Sequence, residues 1–282
     1  MPRVLIVGAN SFDSGKTHVA MSLGITLKNS GYSVEYFKPI SGHNYWYNYE
    51  HTRYCLETRQ LVSKDATIMK KHLDLKTPST LMNPIHSLFV PARIERPLQN
   101  VNGLLGLGGT SAVLVMQRFS RPKGSEIDST VLVANPPIEN ESVIITLEEV
   151  GKLTLGVSVL SAEKFEAFQE YEELHYENYV SESFAQLERS SDTIIIEAFN
   201  DSTWPWDGLE NVDNVLVVSP GHVFGYDPER FRKAVYLSKR STLPIREVTF
   251  SRIADLLKPN SRMEIGPGKG LNDAQLQELG IS

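Results

Sequence analysis

Three aliphatic runs stand out from a mixed polar background: Val4-Leu-Ile-Val7, Ile194-Ile-Ile196 and Val215-Leu-Val-Val218. Their density is that of strands buried on both faces, as in a parallel sheet. Between and around them the period changes. Val19, Ala20, Leu23 and Leu27 recur at helical spacing and predict a helix to about Ser30, ended by Gly31. Ser33 to Phe37 reads as a second strand, stopped before Pro39. Ser63-Lys-Asp-Ala-Thr67 opens a helix through Ile68, Met69 and Leu73, with Asp65 in its first turn. The stretch from Pro78 to Ile94 mixes polar, apolar and proline positions and predicts a long ordered loop with short turns.

Farther along, Ser111–Met116, Ser129–Ala134 and Val143–Thr146 are apolar and β-prone. The glycine-dense 103–109 before them predicts a turn or connection. Glu163–Arg189 is the longest helical segment, with at least one possible break; Phe165, Phe168, Tyr171, His175, Tyr179, Phe184 and Leu187 mark its apolar side. A helix opened by Glu229 and Arg232 should end near Lys239, and 248–257 reads as a last strand or short helix. The alternation predicts an α/β domain over residues 1–257, with a mostly parallel central sheet flanked by helices. Residues 258–282, rich in Gly, Pro, Asn and Ser, read as a peripheral tail.

The first strand and helix are joined by Gly8-Ala-Asn-Ser-Phe-Asp-Ser-Gly-Lys-Thr17. Four residues separate Asn10 from Gly15, and Gly15-Lys-Thr17 closes the segment, which is the spacing of a phosphate-binding loop with Asn10 in the usual glycine position. Asn10, Ser11, Phe12, Asp13, Ser14, Gly15, Lys16 and Thr17 are therefore the expected nucleotide-binding residues. Backbone N–H groups at a helix start cradle an anion, Lys16 reaches the terminal phosphates, and Thr17 offers a hydroxyl to magnesium. Lys38 and Glu197 each end a predicted strand, on the edge where an open α/β sheet binds ligands.

Composition narrows the remaining classes. The chain has 282 residues and a formal net charge of −6, so no basic surface argues for nucleic acid. Cys55 is the only cysteine, which leaves neither a disulfide scaffold nor a cysteine-based zinc site within one chain. No apolar run has transmembrane length and no secretory leader precedes the first strand; the expectation is a cytoplasmic protein without a membrane partner. Residues 43–60 form an insertion crowded with His43, Tyr45, Trp46, Tyr47, Tyr49, His51 and Tyr54. A metal site through His43 and His51 is one reading, although their spacing fits no standard ligand pattern. An aromatic lid, a dimer contact and a partly packed insertion are the others. Arg118, Arg121 and Lys123 read as solvated loop residues or as contacts to an anionic substrate. Trp204 and Trp206 read as a lid or a core plug, and His222, Phe224 and Tyr226 as residues around a base or substrate, or as parts of a turn.

Four segments in order resemble the dethiobiotin synthetase group of phosphate-loop proteins, which lies near the cobyrinic-acid amide ligases and MinD-type ATPases. They are Ala9-Asn-Ser-Phe-Asp-Ser-Gly-Lys-Thr17, Phe37-Lys-Pro-Ile-Ser-Gly42, Lys64-Asp-Ala-Thr67 with Met82-Asn-Pro84, and Ile194-Ile-Ile-Glu-Ala198. The resemblance implies a three-layer P-loop NTPase fold, ATP and Mg2+ as cofactors, and a homodimer. It implies that Lys16, Lys38 and Glu197 are catalytic and that Thr17, Asp65 and Glu197 are magnesium-linked. The chain departs from the group at Phe12, in place of a threonine, and in lacking glycines after Glu197. The early lysine of MinD-type loops is also missing. The expected function is Mg-ATP-dependent phosphoryl transfer to a small carboxylate or carbamate, followed by ligation or cyclisation. The alternative is a regulatory ATPase whose dimer interface responds to nucleotide.

Overall fold

A computed structural model describes residues 2–11, 14–94, 112–266 and 270–281. Phe12, Asp13 and the glycine-dense 103–109 lie outside the described residues. The chain forms an α/β fold whose strands fall into two mixed sheets. The first contains β1 (Arg3–Gly8), β2 (Val34–Phe37), β8 (Thr193–Glu197), β9 (Asn214–Ser219), β10 (His222–Tyr226) and β11 (Ser261–Glu264), in the order β11-β10-β9-β1-β8-β2. The four strands β9, β1, β8 and β2 are parallel. β10 and β11 extend the edge antiparallel. The second contains β3 (Ile40–Asn44), β4 (Ile85–Pro91), β5 (Ala112–Lys123), β6 (Glu126–Ala134) and β7 (Ser158–Ala162), in chain order. Its outer pairs are parallel and its inner pairs antiparallel.

This corrects the expectation of one mostly parallel sheet. The chain leaves the first sheet after Phe37, crosses at Lys38-Pro39, and enters the second at Ile40. Proline has no N–H to donate to a ladder, so the strand direction breaks there. The 78–94 stretch, read as loop, contains α4 (Ser79–Met82) and all of β4. Arg118, Arg121 and Lys123 lie on β5 of a long hairpin that turns at Gly124, whose φ is 64°. Val143–Thr146 forms no strand; Val143 makes an isolated bridge to Ala92, and Thr146 caps a short helix.

Where the apolar spacing is strongest, the expected elements form. Helix α1 (Lys16–Asn29) ends before Gly31, which adopts φ 92°. The long helix Phe165–Glu188 runs without a break and packs against β5 and also against β2 and β8, joining the sheets. Phe184 meets Phe37 and Trp206 with ring centroids 5.3 and 5.0 Å apart. Trp204 and Trp206 are both buried and plug the core. The stretch 258–282, read as a peripheral tail, supplies β11 and the buried side chains Leu271, Leu276, Leu279 and Ile281. Among the described residues, no helix is long and apolar enough to cross a membrane.

Glu35 on β2 is a buried acid away from the site. Thr77 Oγ1 donates to its Oε1 at 2.6 Å, while its Oε2 has no partner among the described residues. Burial raises its pKa, against the opposing hydrogen bond from Thr77. A raised native pKa means that ionisation costs stability once the pH passes the ordinary carboxylate value. Glu35→Gln should therefore stabilise the fold at pH 7.5 by about 1 kcal/mol. The gain should shrink as the pH falls toward that ordinary value, as read by urea melts across the range.

Candidate functional site

The segment after β1 closes tightly. Gly15 has φ 92°, a left-handed conformation that suits glycine, and α1 begins at the next residue. Gly8 is equally constrained. A Cβ there would lie 2.7 Å from Asn200 O, 2.8 Å from Lys16 Nζ and 2.9 Å from Asn10 O. Gly8 is thus a glycine that the loop needs for close approach, while Asn10 stands where the motif usually has one. Lys16 is buried, and its Nζ donates to Asn200 O at 2.7 Å and to Ser14 Oγ at 3.3 Å. Burial lowers its pKa, with Glu197 opposing.

Three elements converge beside this segment. Glu197 ends β8, Lys38 follows β2, and Asp65 sits in the first turn of α3 (Lys64–His72), which Ser63 caps. Lys38 Nζ donates to Glu197 Oε1 at 2.8 Å and to Asp65 Oδ2 at 2.5 Å. Thr17 Oγ1 donates to Glu197 Oε1 at 3.1 Å, and Tyr36 OH to Glu197 Oε2 at 2.8 Å. Glu197 is only 1% exposed, so the three donors Lys38, Thr17 and Tyr36 are what make its burial tolerable. Burial opposes the charge on Lys38, but Glu197 and Asp65 outweigh it and hold the ammonium above its usual range. Burial likewise opposes the Asp65 charge, and Lys38 outweighs it and lowers the pKa. Desolvation, then the Glu197 charge, pushes the Tyr36 phenol well up, so it stays a donor.

Lys38 is also fixed through its backbone. Its N–H donates to Met82 O at 2.8 Å, and its carbonyl accepts from Asn83 Nδ2 at 2.6 Å. Tyr36, Asn83 and Asn200 were not predicted as site residues. The signal for Asn83 was its place beside Pro84 in the Met82-Asn-Pro84 segment; Tyr36 and Asn200 left no signal, because only folding brings them to Glu197 and Lys16.

A cleft of about 550 Å³ is lined by Ser11, Ser14–His18, Lys38, Asp65, Glu197 and Asn200, among others. It brings Lys16, Lys38, Thr17, Asp65 and Glu197 together. Its volume suits a nucleotide-sized ligand. The helix start and two lysines suit an anion. Thr17, Asp65 and Glu197 offer oxygen donors, the set that magnesium uses. The residues present therefore fit both groups. His222, Phe224 and Tyr226 lie on β10 and do not line this cleft. Arg118 is buried under the second sheet, donating to the carbonyls of Leu61, Asn83 and Pro84. It is neither solvated nor free to hold a substrate. No protein-family model matches this chain, and neither does any curated protein sequence.

A second cavity of about 250 Å³ adjoins the first, sharing Ser41 and Phe199, and is also lined by Ser87, Gln117, Glu172 and Arg246. Gln117 Nε2 donates to Glu172 Oε2 at 2.7 Å, and Arg246 Nη2 to Glu172 Oε1 at 2.9 Å. Gln117 Oε1 is buried without a partner among the described residues.

Removing one member of a buried pair leaves an uncompensated charge. Glu197→Ala removes the fully buried partner of Lys38, leaving the buried ammonium on the partly exposed Asp65 alone, and should destabilise the fold by about 3 kcal/mol. Asp65→Ala should cost about 1 kcal/mol, because its side chain is 29% exposed and water replaces its partner. Urea denaturation of the two variants checks this order.

Proposed function

We infer that this chain is a Mg-ATP-dependent phosphoryl-transfer enzyme acting on a small carboxylate or carbamate. The observation that carries the reading is Lys38, held between Glu197 and Asp65 in the same cleft as Lys16 and Thr17. In this reading the fold is a variant of the P-loop NTPase architecture. When bound at Lys16 and Thr17, Mg-ATP would supply a phosphoryl group to the substrate oxygen with ADP leaving, so that a nitrogen nucleophile attacking the activated carbonyl carbon could expel inorganic phosphate.

The chain's own contribution is positioning and charge. The Gly15–Thr17 backbone and Lys16 hold the phosphates at the start of α1. Lys16 exchanges its bond to Asn200 O for a phosphate oxygen. Thr17, Asp65 and Glu197 provide the oxygens that hold magnesium. Lys38 neutralises charge that builds on the transferring group and substrate oxygen. The smaller cavity beside Ser41 takes the acceptor, with Gln117 Oε1 ready to accept a hydrogen bond from its amine. No protein nucleophile is required.

The exposed ring cluster on the insertion favours a second reading. Trp46 and Tyr47 are each 66% exposed, and Tyr49 and Tyr54 lie nearby. A nucleotide-dependent homodimer or partner contact would cover such rings. In that case ATP changes the mass in solution while small molecules leave turnover unchanged.

Release of ADP from Mg-ATP, measured against a panel of diamino acids and small dicarboxylates with and without bicarbonate, separates the two. The enzyme reading expects strong stimulation by one compound. Lys38→Ala should reduce the stimulated rate by roughly 10²–10³-fold. An unchanged stimulated rate in that variant removes Lys38 from the chemistry.

A further inference from the structure

The insertion and β4 build a second cluster behind the cleft. His43 lies on β3, His86 on the neighbouring β4, and His51 on α2 (Tyr49–Thr58). All three are buried, and one ring nitrogen from each lies within 4.8 Å of those from the other two. His43 Nδ1 and His86 Nε2 are 2.7 Å apart. His43 Nε2 is buried with no partner among the described residues.

The surrounding hydrogen bonds fix the protons. Asn83 Nδ2 donates to Lys38 O, so Asn83 Oδ1 accepts, and Ser41 Oγ donates to it at 3.0 Å. Ser41 has one proton, so its contact with His86 Nδ1 at 2.7 Å must be an N–H donated by the ring. His86 Nε2 is then a lone pair facing His43. His51 Nε2 lies 2.8 Å from Val62 O, a carbonyl that can only accept, so this nitrogen carries the proton and Nδ1 is the lone pair. Two of the three imidazoles thus have one nitrogen anchored on a protein oxygen and the other left without a proton. That is the arrangement in which metal-bound histidines are held. His43 carries the adjustable proton: moving it from Nδ1 to Nε2 opens a second lone pair opposite His86.

We propose that His43, His51 and His86 form a three-imidazole site for Zn2+ or a similar first-row divalent ion. Three neutral imidazoles with a fourth position open to water are a familiar zinc set. Tetrahedral zinc separates its nitrogens by roughly 3.3 Å, so binding replaces the His43–His86 hydrogen bond and moves the rings slightly apart. Cys55 is not a ligand: its buried Sγ lies 3.7 Å from Val62 O and 3.6 Å from His51 Nε2, the nitrogen that carries the proton. The site uses none of Thr17, Asp65 and Glu197, and is joined to the cleft through the Ser41–Asn83–Lys38 link. Its occupancy fixes α2 to the second sheet at the strand that carries Ser41.

The test uses the full chain, stripped with a chelator and assayed without nucleotide in excess Mg2+. Wild type should retain about one Zn2+ per chain after gel filtration and melt at a higher temperature with zinc. With Co2+ it should give the intense visible bands of a tetrahedral site and no thiolate charge-transfer band. His43→Gln, chosen because Nε2 has no partner to lose, should bind at least about 100-fold more weakly, beyond the loss typical of an outer-shell change. Cys55→Ser should bind as wild type does. Substoichiometric retention by wild type overturns the proposal. So does a thiolate band, or equal retention by a folded His43→Gln. Should that variant not fold, the cobalt spectrum of wild type decides. Failure here leaves the ADP-release result untouched, and the reverse also holds.

Discussion

The structure is organised around one buried ionic contact. Glu197 is sealed at the end of a central strand and would be intolerable there alone. Lys38, Thr17 and Tyr36 satisfy it, and Lys38 in turn draws in Asp65. These residues come from β8, the exit of β2, the first turn of α1 and the first turn of α3. Each element must reach its place for the charges to balance, so the contact acts as a registration point for the whole ligand edge. The arrangement places a buried carboxylate, a partly exposed one and two buried ammonium groups around a cleft, a costly choice unless a ligand uses them.

The same point is where the fold departs from a simple doubly wound sheet. Lys38 carries the ion pair and Pro39 breaks the strand, so the chain passes from one sheet to the other beside the cleft. Asn83 holds the Lys38 carbonyl from one side and Ser41 from the other. Ser41 then meets His86. A line of direct hydrogen bonds therefore runs from the Lys38 backbone carbonyl to the histidine cluster. The long helix Phe165–Glu188 clamps the two sheets on the other side through Phe184 and its aromatic neighbours.

What could be read from sequence follows physical locality. α1, β1, β8 and β9 declare themselves through uninterrupted apolar runs or helical spacing, and Lys16, Thr17, Lys38, Asp65 and Glu197 through their places at element ends. β4 did not, because Pro84, His86, Ser87 and Pro91 interrupt its apolar pattern, and its polar side chains are satisfied only by distant partners. β10 hid behind Pro220 and Gly221, which read as loop but make a hairpin with φ 80° at Gly221. Arg118 looked solvated because nothing local shows that backbone carbonyls surround it. His43 and His51 were visible as a pair, but their partner His86 is supplied by strand pairing 43 residues away.

The central claim is that the cleft at the start of α1 holds a nucleotide through Lys16. Isothermal titration of Mg-ATP into the purified chain, beside Lys16→Ala, tests it most directly. The account predicts one site per chain in wild type and at least a roughly tenfold loss of affinity in the variant, equivalent to the ~1.4 kcal/mol of one charged hydrogen bond. No binding by wild type, or equal binding by both proteins, would contradict it.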